Sequence, residues 1–193
     1  MTVASRVRSW LPLLPLLGIL AMTYWLDQQA QPEAEKADSS KQHTPDAIVD
    51  NLKAVTLNQQ GTPRFIMAAK QLVHYSDDDS TTLAEPDITA LTPMRPDVHI
   101  TAKHGTLSSK GDVIELNDDV IIVRAASQTQ SELVVQTDYA KVIPDLETVQ
   151  TQRAVTMTDA NNRVLAVGME MDNRAQTIKL LSQVKASNAV KQN

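Results

Sequence analysis

Three clusters bring together the side-chain types that metal binding or catalysis needs. Asp77, Asp78 and Asp79 supply hard oxygen ligands of the kind that suit Ca²⁺. The glycine and remaining ligand spacing of a calcium loop are missing, so the triplet reads as a solvated turn between strands. His74, His99 and His104 are zinc-type ligands. His99 and His104 stand an odd number of residues apart and face opposite ways on one regular strand. Ser108, Ser109 and Lys110 resemble a Ser/Lys nucleophile. Adjacent strand residues point to opposite faces, however, and Gly111 marks a turn. There is no G-x-S-x-G, no H-E-x-x-H and no phosphate loop. No catalytic residue, metal site or cofactor is expected, and the chain does not read as an enzyme.

The elements around these residues explain why. The chain has 193 residues, enough for one domain with appendages. Aromatic residues are 3% of it and Phe65 is the one Phe, so the core must be Val, Ile, Leu, Met and Ala. The absence of Cys excludes disulfides, thiolate catalysis, cysteine zinc sites and a lipid-attachment cysteine. Before Asp27 the charged side chains are Arg6 and Arg8; the remainder carries 16 basic and 23 acidic groups, a net of −7. An acidic domain without a basic stripe is a poor nucleic-acid binder, because phosphate contacts supply most of that affinity.

Residues 9–26 carry no charge and are rich in Leu. Spanning a bilayer takes about 20 mostly apolar residues, with roughly 17 as the lower limit, so the segment is short but sufficient for a transmembrane anchor. Arg6 and Arg8 before it keep residues 1–8 cytoplasmic, and Tyr24 and Trp25 fall at an interfacial belt. The competing reading is a cleaved signal peptide, for which Gln28-x-Ala30 is a poor site. Pro12 and Pro15 lie in the first turns, where a lost N–H donor does least harm. Residues 27–46 are rich in Gln, Ser, Glu and Pro without a hydrophobic period, which suits a tether.

From 47 to 193 the pattern becomes β. Short Val-, Ile- and Thr-rich runs are broken by turn chemistry at Asn58–Gly61, Asp77–Ser80, Pro93–Pro96, Lys110-Gly111, Pro144-Asp145 and Asn161-Asn162. A weak repeat begins at Ala69, Ala102, Thr137 and Gly168, with spacings of 33, 35 and 31 residues. In the second and third copies an apolar strand ends on Val120 and on Val155; the last ends at Val184. One hairpin cannot bury its apolar face alone, whereas stacked hairpins can, leaving an open edge at each end. Gly61 follows Asn-Gln-Gln and suits a positive φ in a hairpin; Gly168, inside a strand, suits a bulge or a close backbone approach. Both are structural or partner-edge candidates.

These pieces together resemble the LptC family, the membrane-anchored component of the lipopolysaccharide export bridge of Gram-negative bacteria. The resemblance rests on a short N-terminal anchor and on N-x-x-G-x-P-x-F-x-x-x-A at Asn58–Ala69. HYSDDDSTTLAEPDI at His74–Ile88, A-K-H-G at Ala102, L-x-x-x-V at Leu116–Val120 and T-D-Y-A-K-V-x-P at Thr137–Pro144 complete it. It implies an all-β, twisted, groove-like jellyroll of stacked antiparallel hairpins in the periplasm, behind one transmembrane helix in the inner membrane. It implies lipopolysaccharide as ligand, with acyl chains in the groove. Its implied partners are an inner-membrane ABC permease with its ATPase complex at the N-terminal edge and a periplasmic jellyroll bridge protein at the C-terminal edge. A second reading is a tethered β-domain acting as an assembly or regulatory scaffold without lipid contact.

Alternation nominates Leu83, Ile100, Ile114, Leu116, Leu133, Val135, Val155, Ile178 and Leu180 as groove lining. In a groove protein the core and the ligand site are one surface. Parity gives two sets of faces without saying which faces in.

Overall fold

The computed structural model describes residues 13–30 and 43–188, in two units divided after Gln42. Arg6, Arg8, Pro12, most of the tether and the last residues of the chain lie outside the described residues. In the first unit, helix α1 (Leu13–Ala30) runs past Asp27. Its 18 residues rise about 27 Å at 1.5 Å each. Ile19, Leu20, Met22, Tyr24 and Trp25 are exposed, and Thr23 Oγ1 donates to the Ile19 carbonyl at 2.8 Å. Among the described residues no helix is long and apolar enough to cross a membrane.

The second unit is all β, as the turn spacing and β-branched runs require. Its strands are β1 (Pro45–Leu57), β2 (Pro63–Tyr75), β3 (Ser80–Ala84), β4 (Asp87–Ala90), β5 (Val98–Thr101) and β6 (His104–Leu107). They continue as β7 (Ile114–Arg124), β8 (Leu133–Ile143), β9 (Thr148–Thr158), β10 (Asn162–Asp172) and β11 (Thr177–Asn188). All pairings are antiparallel, in the order β11-β10-β9-β8-β7-β5-β4-β2-β3-β6, with β1 on the other side of β2 and β6 also paired to β7.

That order describes one sheet folded over itself. The first half of β2 pairs with β4, and its second half with β3. The first half of β7 pairs with β6, and its second half with β5. The short strands therefore divide between two layers, and the long strands pass from one layer to the other through a bend.

The bends have identifiable causes. In β7, Asp118 and Asp119 take left-handed φ values of 64° and 49°, and the register with β8 jumps from Asn117↔Tyr139 to Val120↔Thr137. The β8–β9 register shifts between Thr137 and Lys141. In β10, Gly168 (φ +80°) interrupts pairing with β9, and Gln183 (φ 51°) does the same in β11. The short strands break at the same level: Glu85 N–H donates to the Lys103 carbonyl at 2.8 Å and Lys103 N–H to that of Asp118 at 3.0 Å. Such extra residues bend a strand and raise its twist. The repeat starts Ala69, Ala102, Thr137 and Gly168 all fall at or beside this line. The weak sequence period therefore reports one passage of a hairpin through the bend.

Gly61 and Gly168 share a positive φ but not their surroundings. Gly61 (φ +78°) sits in the β1–β2 turn, where Asn58 Oδ1 accepts the N–H groups of Gln60 at 2.9 Å and Thr62 at 3.0 Å; a Cβ there would meet nothing within 4 Å. A Cβ on Gly168 would lie 2.8 Å from Leu181 Cδ1 and 3.0 Å from Leu181 Cβ. Gly61→Ala should cost about 1 kcal/mol, for backbone strain alone. Gly168→Ala should cost about 2–3 kcal/mol, with the clash added. Chemical denaturation of the two variants checks this; equal costs would contradict the close approach of β10 and β11.

Candidate functional site

Several of the candidate chemical residues are hydrogen-bonded within turns or between neighbouring strands. Asp78 Oδ1 accepts the Ser80 N–H at 3.0 Å, and hydrogen bonds from Ser80 hold its carboxyl below the usual range. Ser108 Oγ donates to Asp112 Oδ1 at 2.6 Å and accepts the Val113 N–H, which lowers the Asp112 carboxyl in turn. His74 bonds Thr81, His99 bonds Thr89, and His104 bonds Asp118, each at 3.0–3.1 Å. His43, absent from the sequence candidates, stacks on Tyr75 with ring centroids 3.8 Å apart and bonds Asp77 at 3.0 Å. With Asp78 these two form an exposed group of ligand-type atoms within 4.8 Å of one another, on the surface of the β2–β3 turn.

The interior is aliphatic. From one layer come Ile88, Val98, Ile100, Ile122, Leu133, Val135 and Val155; from the other come Ile114, Leu116, Ala140, Val142, Val149, Met169 and Met171. Of the nine nominated residues, Leu83, Ile100, Ile114, Leu116, Leu133, Val135 and Val155 are buried, and Ile178 and Leu180 on β11 are half-buried against the same core. Leu83 packs beside Gly105, within reach of Leu116.

Simple alternation missed the residues beyond each bend. In β8 the buried positions are Leu133, Val135 and Thr137, then Ala140 and Val142. In β10 they are Ala166, then Met169 and Met171. Across the bend the buried side chains step by three residues, from Thr137 to Ala140 and from Ala166 to Met169, so inward parity switches from odd to even in β8 and from even to odd in β10. Gly168 was the signal that could have revealed the switch.

At the strand ends farthest from the bends the layers meet around a cavity of about 30 Å³, lined by Phe65, Ile88, Ile100, Val142, Val149 and Met171. That is room for about one water, so side chains fill the space between the layers. Outside it lies a cleft of about 240 Å³ bordered by Arg64, Leu91, Arg95 and Glu147. Here the layers are clasped. Arg64, at the start of β2, donates to Asp145 Oδ1 at 3.1 Å and to the carbonyls of Pro144 at 3.0 Å and Asp145 at 3.2 Å. Arg95, in the β4–β5 loop, donates to Glu147 Oε2 at 3.1 Å and to the Asn173 carbonyl. Arg174 donates to the Asp145 carbonyl at 3.1 Å, and its guanidinium lies 3.9 Å from Glu147. Three arginines from both layers thus converge on the β8–β9 turn at residues 144–147.

Residues 13–189 match the family described as lipopolysaccharide-assembly, LptC-related. The chain belongs to this LptC-related family. Its structure is similar to that of LptH, the LptA-homologous periplasmic component of the lipopolysaccharide transport device of Pseudomonas aeruginosa. The TM-score is 0.51 at 8% identity, over 66% of this chain and 95% of that one. That likeness concerns the fold. No curated protein matches the sequence. Membership in the LptC-related family gives the chain a role in lipopolysaccharide assembly and agrees with the resemblance carried by Asn58–Ala69 and the later motifs.

The parity switch can be tested on β10. Met169, fully buried, should cost about 2–5 kcal/mol when replaced by Ala. Leu165, 43% exposed on the same strand, should cost less than about 1 kcal/mol. Denaturation midpoints that rank the two variants the other way would refute the inward assignment.

Proposed function

We propose that this chain is an inner-membrane-anchored, non-enzymatic component of the lipopolysaccharide transport bridge. In this reading it takes lipopolysaccharide from an ABC permease, holds the acyl chains between the two β layers and passes them to a periplasmic jellyroll protein. The observation that carries the reading is the aliphatic interior running through both layers of one folded sheet. Each acyl CH₂ buried in such a space gains about 0.8 kcal/mol, while the sugars remain outside in water.

The edges support the same reading. Among the described residues β1 pairs with β2 alone and β11 with β10 alone, so each presents a long outer edge. Such an edge is an aggregation hazard unless a partner strand uses it. β1 exposes Ile48, Val49, Val55 and Leu57, and β11 exposes Leu181 and Val184. We assign the permease to the β1 edge and the next jellyroll to the β11 edge. Helix α1, uncharged before Asp27 and with Arg6 and Arg8 upstream in the sequence, serves as the anchor in this reading.

One observation favours the second reading, a scaffold without lipid contact: the cavity where the layers meet at the mouth holds about 30 Å³. The lipid reading therefore requires the layers to part at the mouth. Photo-crosslinking amino acids placed at Leu116, Val135 and Met169 should capture lipopolysaccharide in cells, and those at the outward positions Gln136 and Gln150 should not. Capture at the outward positions alone sinks the groove. No capture at either set, with the partner contacts intact, leaves the scaffold. Truncation after Ile178 should abolish pairing with the downstream jellyroll and spare the permease; equal loss of both would contradict the two-edge assignment.

A further inference from the structure

The clasp holds more positive charge than a clasp needs. Arg64, Arg95 and Arg174 face two carboxylates, Asp145 and Glu147, a local surplus of one positive charge in a chain of net charge −5. Four of the acceptor contacts are neutral carbonyl oxygens: Pro144, Asp145 (to both Arg64 and Arg174) and Asn173. A phosphate offers guanidinium groups charged oxygens in a matching bidentate geometry and competes well with neutral carbonyls. The Asp145 side chain, 79% exposed, is readily exchanged, and so is that of Arg174 at 61%.

Two features point inward from this charge. Directly behind the arginines lies the apolar cavity of Phe65, Ile88, Val142 and Met171, and the Arg64 guanidinium carbon stands 5.0 Å from the centre of the Phe65 ring. Thr148, which lines that cavity, has a buried Oγ1 with no hydrogen-bond partner. A buried hydroxyl left unpaired is costly and calls for a polar group from outside the chain. Cationic fork groups, an unpaired hydroxyl and an aliphatic pocket in sequence from solvent to interior match an anionic amphiphile, head outward and chain inward.

We propose that Arg64, Arg95 and Arg174 form a phosphate subsite at the mouth, which receives the phosphorylated head of a glycolipid whose acyl chain lies between the layers. Binding replaces the carbonyl and carboxylate partners of the arginines, so the head group itself releases the clasp that joins the layers. This rests on the lipid reading above.

The test uses the full chain in nanodiscs and two probes with identical acyl chains: lipopolysaccharide bearing its lipid phosphates and the same material after phosphatase treatment. The wild-type chain should prefer the phosphorylated form about tenfold, the worth of one charge-assisted contact. Arg174→Gln, which leaves the contacts of Arg64 and Arg95 in place, should reduce that preference, read as the ratio of the affinities for the two lipids. Arg64→Lys, which keeps the charge but loses the fork, should reduce it as well. Equal affinity of the wild-type chain for the two lipids would overturn the subsite and leave the groove standing. Equal loss of both lipids in the variants would make the arginines a structural clasp only. Binding of inorganic phosphate alone as tightly as the lipid would make this a free-phosphate site. Failure of the wild-type chain to bind either lipid would remove the groove and the subsite together.

Discussion

Each long strand must bend, and the rest of the structure depends on it. A sheet of eleven strands with one apolar face needs a cover, and among the described residues no helix pair supplies one. It covers the face by folding the sheet along a line through Asp118-Asp119, Gly168 and Gln183, where extra residues and left-handed φ values turn the strands. Two consequences follow. The inward parity switches across the bend in β8 and β10, so Leu133 and Val142 both face the core from one strand. The sheet also closes by folding rather than by joining its ends, so β1 and β11 keep free edges. The same constraint therefore makes the aliphatic interior, the mouth opposite the bends and the two long outer edges.

Much of this was legible in the sequence, and the part that was not has a physical reason. Turn residues and β-branched runs are local signals, and they gave the all-β class. The repeat from Ala69 to Gly168 marked the bends before their geometry was known. Alternation found Leu116, Val135 and Val155 because it holds between bends. It missed Ala140, Val142, Met169 and Met171 because a three-residue step across the bend reverses parity without changing composition. The clasp was illegible for a different reason. Arg64 and Asp145 are 81 residues apart, and nothing in either segment announces the other. His43 escaped for the same cause: its partner Asp77 lies across the end of β2, beyond any local pattern.

The division of labour between interior and mouth follows from these contacts. The interior is held by aliphatic burial, which is non-directional and can be exchanged for acyl chains of similar polarity without leaving polar groups unsatisfied. The mouth is held by directional guanidinium contacts, which fix one closed arrangement and which a charged ligand can replace. A core of Leu, Ile, Val and Met with little aromatic content suits this exchange, since such side chains repack readily. Under the proposed function, the packed interior and the lipid-filled one are two positions of one device.

Stapling the mouth tests the central claim most directly. The chain has no native Cys, so a cysteine at Leu91 and another at Leu146, one on each side of the mouth, can be joined by a short thiol-reactive bridge. With the bridge in place, lipopolysaccharide capture by a crosslinker at Leu116 should fall to background while association with the partner jellyroll persists. Undiminished capture in the stapled chain would show that lipid does not enter between the layers, and would contradict the account.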